Sequence, residues 1–516
     1  MNLINTRRKI VLIAFLLCAV GCLMIYFPSH ADEFSKYQRL ACFSFDGSVF
    51  STLQNGCDKY PASFLGYQFH KNYDYYGVTS NFLYAPFYFL FPSIYSHYLY
   101  GFISLIIFSA LMVKALDVKR NTAFIPLLFF PFLYSFVHDI GPINLAMISY
   151  PILIIATSKL FDPQQSLKNF VLWLLATFLV TLFSLEDKTF FIYLLPQILM
   201  ICIAFTLYRY QSSNSSFQFL RTKLSVPILI KLVLLGSVVT LALAVILFLI
   251  RVEGLSYYHY LKEIRIISMR EEPIARWDIL VSIFNFVFTP ILMVHRTISP
   301  PEFVSILSRL LFIPLVGGLG IYLWRSKNVA LWLILFSNVV LGLIYIYSKN
   351  VWSAHHFIFL FVPFIILLMI WANTSQNAYW LIILLLLLNL GGNISLALNS
   401  PVIWHASASR EMIFSYLSKP EIAQKSVINF SSMGGYSIQA LYGDKSQVVV
   451  WTSLNAPNAG KNLMGILSDS GREVLLNVCS NQERCNYEVI QHQFPKQSIR
   501  KVGPGSDNWL IWEIKP

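Results

Sequence analysis

LACFSFDGSVFSTLQNGCDKYPASFLGYQFHKNYDYYGVTSNFLYAPFYFLF, from Leu40 to Phe91, is the stretch whose reading decides the fold. It follows a first hydrophobic run directly and is too polar to sit in lipid, yet it is crowded with aromatics. That combination suits a loop folded against the outer face of a membrane bundle and lining a site there. Asp46 is its most telling residue. A carboxylate just outside a membrane, among Phe and Tyr side chains, can act as a base or hold a metal ion because its surroundings are partly dry. A helix cap or turn is the plainer reading of the same side chain.

Composition sets the class around that loop. Of the 516 residues, 56% are hydrophobic and 12% charged, and the mean hydropathy is +0.60, which excludes a soluble domain and identifies an integral membrane protein. Arg7, Arg8 and Lys9 precede an apolar run from Ile10 to Phe27. The run is as long as a spanning helix needs and lacks a good A-x-A site, so it reads as an uncleaved anchor with a cytoplasmic N-terminus. Further spans are predicted at Tyr98 to Leu116, Ala123 to Val137, Asn144 to Leu160, Phe170 to Leu185, Phe190 to Tyr208 and Val226 to Ile250. Four more follow at Ile306 to Trp324, Val329 to Tyr347, Phe357 to Trp371 and Trp380 to Leu398.

Cytoplasmic loops collect Lys and Arg. Lys114, Lys119 and Arg120, then Lys159 and Lys168, then Arg209, Arg221 and Lys223, then Arg325 and Lys327 all fall on the inner side of this count. Trp277 to Val294 is apolar enough to span, but a crossing there would move Arg325 and Lys327 outside; it reads as a helix lying at the outer interface. The fold class is therefore mainly α, a polytopic membrane helical bundle of roughly eleven spans over residues 1–398. An external C-terminal α/β domain over residues 399–516 completes it. In that tail SVINF, QVVVW, EVLLNVC and NWLIWEI read as strands, alternating with helix-like pieces such as KNLMGILSDSG. It carries no phosphate loop and no convincing triad, and its expected task is to cover the outer mouth of the bundle or bind a substrate.

Cys18, Cys22 and Cys202 lie within spans and read as packing residues. Cys42 with Cys57, and Cys479 with Cys485, form two close pairs in polar outer segments, where disulfides persist. A cytoplasmic metal site is the alternative for the second pair, although no His or further Cys has the spacing to complete one.

Two more constellations join Asp46. Glu186, Asp187 and Lys188 sit between two apolar spans at the outer face; a tight hairpin turn explains them, and so does a pair of acids that binds a divalent ion such as Mg or Mn or orients a hydroxyl. His355 and His356 open a span on the same face, either as interfacial residues marking a helix end or with one imidazole turned to a phosphate or metal. In the long outer interval Lys262, Arg265, Arg270 and Arg276 lie among Tyr257, Tyr258 and His259. Arg grips phosphate oxygens with paired hydrogen bonds, which makes a lipid-linked phosphate the natural partner. Glu263, Glu271, Glu272 and Asp278 in the same stretch keep a self-paired amphipathic helix open. The net charge of +13 does not point to nucleic acid, because much of the basic excess is used for topology.

Together these features resemble the GT-C superfamily of membrane glycosyltransferases. Within it the chain is most similar to a bacterial group of polytopic membrane proteins of unknown function. FDGSVFSTLQNG resembles that group's aromatic-Asp segment, LYAPFYFLFPS its aromatic-Pro segment, LEDKTFFIY its Lys-Glu-Asp segment and SAHHFIFLFVPFII its His-Tyr segment leading to Pro. The likeness covers residues 1–398. The resemblance implies that Asp46 activates the acceptor hydroxyl or helps hold metal, that Glu186 and Asp187 form a second acidic site, and that His355 or His356 stands at the outer helix start. The group usually has a His before the aromatic-Pro segment, where this chain has Asp74, Tyr75 and Tyr76, and its Lys precedes rather than follows the acid pair. Asp32 and Glu33, in SHADEFSKYQRL, are an alternative first acidic site.

The implied activity is transfer of a sugar from a polyprenyl-phosphate donor to a glycan, lipid or protein acceptor at the outer face of a bacterial cytoplasmic membrane, with inversion. Arg265, Arg270, Arg276, Lys188, His355 and His356 would meet the donor phosphate. A polytopic transporter or lipid flippase, and a non-catalytic envelope assembly protein, are the competing classes. The first calls for charged or helix-breaking residues deep in several spans, and the second needs no convergence of the outer acids and histidines.

Overall fold

The computed structural model describes residues 95–138, 142–160, 167–184, 188–213, 302–347, 354–399, 419–430, 449–451, 459–469, 471–479, 486–506 and 509–516, with positions 56–57, 60–61, 83–84, 86–87, 90, 280 and 416. Two short antiparallel strands, β1 (Gly56–Cys57) and β2 (Tyr60–Pro61), come first. The bundle is then built from α1 (Tyr95–Leu116), α2 (Phe124–Leu128), α3 (Phe130–His138), α4 (Pro142–Leu160), α5 (Leu167–Ser184) and α6 (Lys188–Ser213). It continues through α7 (Glu302–Ser326), α8 (Val329–Tyr347), a 3-10 turn over Ala354–Leu360, α9 (Phe361–Thr374) and α10 (Gln376–Asn399).

Among the described residues three helices are long and apolar enough to cross a membrane: Tyr98–Leu116, Val329–Ile346 and Phe357–Thr374. Shorter apolar helices cover Ile143–Lys159, Lys168–Val180 and Leu194–Arg209. The expected spans at 306–324 and 380–398 are helical in α7 and α10. Those at 10–27 and 226–250, and all of 277–294 except Leu280, lie outside the described residues.

The stretch expected as one span over 123–137 is instead two helices bent by 73°. Proline is the cause. Pro131 has no N–H to offer the Leu127 carbonyl, so an uninterrupted helix would lose that bond and bring its ring against the same oxygen. Phe129 takes an extended backbone, φ −75 and ψ 104. Its N–H closes α2 on Ile125 O at 3.1 Å, while its carbonyl accepts from Phe132 and Leu133 at 3.0 and 3.1 Å to open α3.

α9 is the axis of the bundle. In the Phe357–Thr374 window 83% of residues are buried, against 33% in the α8 window, the mark of a helix apolar all round and enclosed by others. Phe129 packs edge-on against Phe361, ring centroids 5.0 Å apart, and Trp371 stacks on Tyr322 of α7. The outer helices are two-faced. On α10, Tyr379, Ile382, Ile383, Leu386 and Leu390 are buried, while Trp380, Leu381, Leu384, Leu387 and Leu388 are exposed. On α8 the exposed stripe is Trp332, Phe336, Val339 and Leu343. Apolar stripes at helical spacing on the outside of the bundle are surfaces for lipid.

The tail forms a five-stranded sheet in the order β4-β3-β5-β7-β6, from β3 (Ser426–Phe430), β4 (Val449–Trp451), β5 (Val474–Cys479), β6 (Ser498–Ser506) and β7 (Trp509–Lys515). β3 pairs in parallel with β4 and β5, and β7 pairs antiparallel with β5 and β6. Val427, Leu475, Trp512 and Ile514 face the helices over Ala459–Asp469 and Tyr487–Gln493 through Leu463, Leu467, Ile490 and Phe494. Ile428, Leu476, Val478 and Ile511 fill the other face with Ile422 and Tyr416. Apolar residues on both faces are what a parallel core needs.

Candidate functional site

Hydrogen bonds and packing show which helix ends share a face. At one end of the bundle the Lys119 N–H donates to Asn373 Oδ1 at 3.0 Å, joining the segment after α1 to the end of α9. Arg209 near the end of α6 stands 3.5 Å from Asp117. Asn121 meets Tyr379 near the start of α10.

At the opposite end lie the starts of α1, α4, α6 and the 3-10 turn. A Cβ on Gly101 would overlap the Phe136 carbonyl, so the start of α1 runs against the end of α3. Asn144 Nδ2 donates to Phe136 O at 3.0 Å, bringing in the start of α4. The aromatic-Pro segment sits here too: Tyr84 is buried, its hydroxyl is 2.9 Å from Ser96 Oγ, and its ring lies 5.6 Å from Tyr100, with Phe87 edge-on to Tyr100 at 5.3 Å.

Below that end a buried polar node links four elements. Gln197 of α6 is fully enclosed. Its Oε1 accepts from the Tyr150 hydroxyl of α4 at 2.5 Å. Its Nε2 donates to Asn338 Oδ1 of α8 at 3.0 Å and to Phe359 O of the 3-10 turn at 3.3 Å. Both amide protons and one carbonyl lone pair are thereby used, the condition for holding an amide in an apolar core. Tyr345 of α8 packs edge-on against Phe357 at 5.3 Å beside the node.

The node fixes where the turn begins relative to α6. Lys188 stands nine residues before Gln197, roughly 13 Å along a helix. His355 and His356 stand four and three residues before Phe359, on the order of 6–8 Å along a 3-10 turn. Both lie on the same side of the node, so the backbone at Lys188 and the backbone at the histidine pair occupy one end of the bundle.

For Lys188, His355, His356, Cys57 and Cys479 the structure describes the backbone alone. Asp46, Glu186, Asp187, Arg265, Arg270, Arg276, Asp32, Glu33, Cys42 and Cys485 lie outside the described residues. Cys202 is buried in α6 as a free thiol, in keeping with a packing role. Among the described residues no three of His, Cys, Asp or Glu are grouped to hold a metal ion; the carboxylates expected to take one are Asp46, Glu186 and Asp187. Gln197, Tyr150 and Asn338 were not expected at all. Their signal was available: YLLPQILM places one amide beside a proline within an otherwise apolar run, and a polar group at membrane depth is costly unless it has a use.

No family model matches the chain, and no curated protein matches it. Among solved structures it is similar to the crystal structure of ArnT from Cupriavidus metallidurans in the apo state. The TM-score is 0.55 and the identity 10%, over 99% of this chain and 98% of that one. At that identity the likeness is one of fold. The chain has an ArnT-like fold of apolar helices.

Proposed function

We propose that the chain is an integral-membrane glycosyltransferase of GT-C type, acting at the outer face of a bacterial cytoplasmic membrane on a polyprenyl-phosphate sugar. The observation that carries this reading is the ArnT-like fold along nearly the full length of both chains. In support, the described helix starts that flank the two outer motifs, Lys188 and Ala354, share one end of the bundle with the aromatic-Pro segment.

The chemistry follows from charge and position. The donor's lipid lies in the bilayer and its phosphate at the interface, met by Arg265, Arg270, Arg276, Lys188 and His355 or His356. Asp46 takes the proton of the acceptor hydroxyl, and the freed oxygen pair attacks the anomeric carbon. The bond from that carbon to the phosphate oxygen breaks, and polyprenyl phosphate leaves as a stable anion. Attack opposite the leaving group inverts the centre. Glu186 and Asp187 orient the hydroxyl as a second acidic site. Asp32 and Glu33 take the part of Asp46 in the alternative assignment. In purified protein Asp46→Asn should abolish sugar transfer while leaving the protein folded; full activity in that variant would remove Asp46 from the role.

A transporter or flippase reading draws on the break at Phe129 and on Gln197 deep in the bundle. Against it, the buried polar side chains described in the bundle are Ser, Thr, Asn and Gln, with tyrosines and the Cys202 thiol, and no Asp, Glu, Lys, Arg or His is buried among the described residues. Coupling-ion and proton pathways are built on buried ionisable groups.

A further inference from the structure

Phe359 has a carbonyl whose α-helical donor cannot exist. Four residues on stands Pro363, which has no N–H. It is to this oxygen that the buried Gln197 amide donates, at 3.3 Å. The 3-10 turn ends at Leu360 and α9 begins at Phe361, so the carbonyl lies where the backbone changes from one helix type to the other. His355 and His356 ride on that turn. Gln197 is itself oriented from two other helices by Tyr150 and Asn338.

We propose that Gln197 is the positioning residue of the site: its amide donates across to the Phe359 carbonyl and so fixes the histidine-bearing turn against α6, the helix that begins at Lys188. The inference rests on the glycosyltransferase reading and adds to it. Gln197 is enclosed below the site end and acts on the donor phosphate through the turn, without touching it.

The test uses the full-length protein in lipid nanodiscs, with polyprenyl-phosphate sugars as donors. Gln197→Met keeps the length of the side chain and removes both amide protons. It should raise the KM for donor about tenfold, the scale of one lost buried hydrogen bond, with the acceptor KM unchanged. Amide exchange over 354–362 should rise while that of α1 stays as in the parent. Tyr150→Phe, which loosens Gln197 and keeps its amide, should move both readouts in the same direction by less, and serves if Gln197→Met does not fold. Combined with His355→Ala and His356→Ala, Gln197→Met should add nothing to the donor KM. An active parent whose donor KM is unmoved by both variants overturns the positioning role and leaves the transferase reading intact, whatever the exchange shows. An additive combination with the histidine variants does the same. A folded parent that transfers no sugar from any polyprenyl-phosphate donor overturns the reading, and the inference with it.

Discussion

Gly101 and Gly317 show how differently one residue type is used in this bundle. At Gly101 an added methyl would run into the Phe136 carbonyl, which belongs to rigid backbone at the α1–α3 contact. At Gly317 in α7 the same methyl meets nothing. Gly101→Ala should therefore destabilise the folded protein by about 2 kcal/mol or more, whereas Gly317→Ala should stay within about 0.5 kcal/mol of the parent. Thermal unfolding of the two variants in the same detergent measures the difference. Equal midpoints would mean that α1 and α3 are not in contact at Phe136. The neighbouring Gly318 packs its bare backbone under Trp371, where a Cβ would stand 2.6 Å from the indole. Adjacent glycines in one apolar helix therefore differ, and no hydropathy pattern distinguishes them.

At the scale of elements, the sequence was most legible where periodicity alone decides the outcome. SVINF forms a strand over Ser426–Phe430, and the tail's other apolar runs hold β4, β5 and β7. β6, over Ser498–Ser506, escaped notice because SIRKVGPGS contains one proline and two glycines and reads as turn chemistry. It is an edge strand, where such residues are tolerated and where Arg500 pairs across to Glu513 at 3.1 Å. The break at Phe129 was missed because the run is almost wholly apolar, and Pro131, which causes it, was outweighed by hydropathy. Within the sheet, Asn429 and Asn477 face each other in register on parallel strands, with Nδ2 of the first 2.6 Å from Oδ1 of the second and both side chains enclosed. Asn429→Ala should cost about 1–3 kcal/mol and speed amide exchange along Val474–Cys479. The double variant Asn429→Leu, Asn477→Leu should cost less than the sum of its parts, because the two amides act as a unit. Strictly additive effects would show that the pair is not coupled.

At the scale of the whole molecule, hydropathy was enough to read a bundle of apolar helices, and the fold is similar to that of ArnT over 99% of the chain at 10% identity. For the candidate site, the sequence marks motifs and not a geometry. Its motifs were visible as polar interruptions among apolar runs, and the structure brings the backbone of Lys188, the histidine-bearing turn and the aromatic-Pro segment to one end. What could not be read was the support beneath them, since Gln197, Tyr150, Asn338 and Phe359 come from four separate segments and meet only after folding.

The central claim is that this chain consumes a lipid-linked sugar. Mass spectrometry of surface glycans and of polyprenyl carriers, in cells with the gene intact and deleted, tests it most directly. Deletion should remove one sugar from the mature glycans and cause the corresponding polyprenyl-phosphate sugar to accumulate, with both restored by the parent chain and neither by Asp46→Asn. Glycans and carriers that are identical with and without the gene would contradict the account.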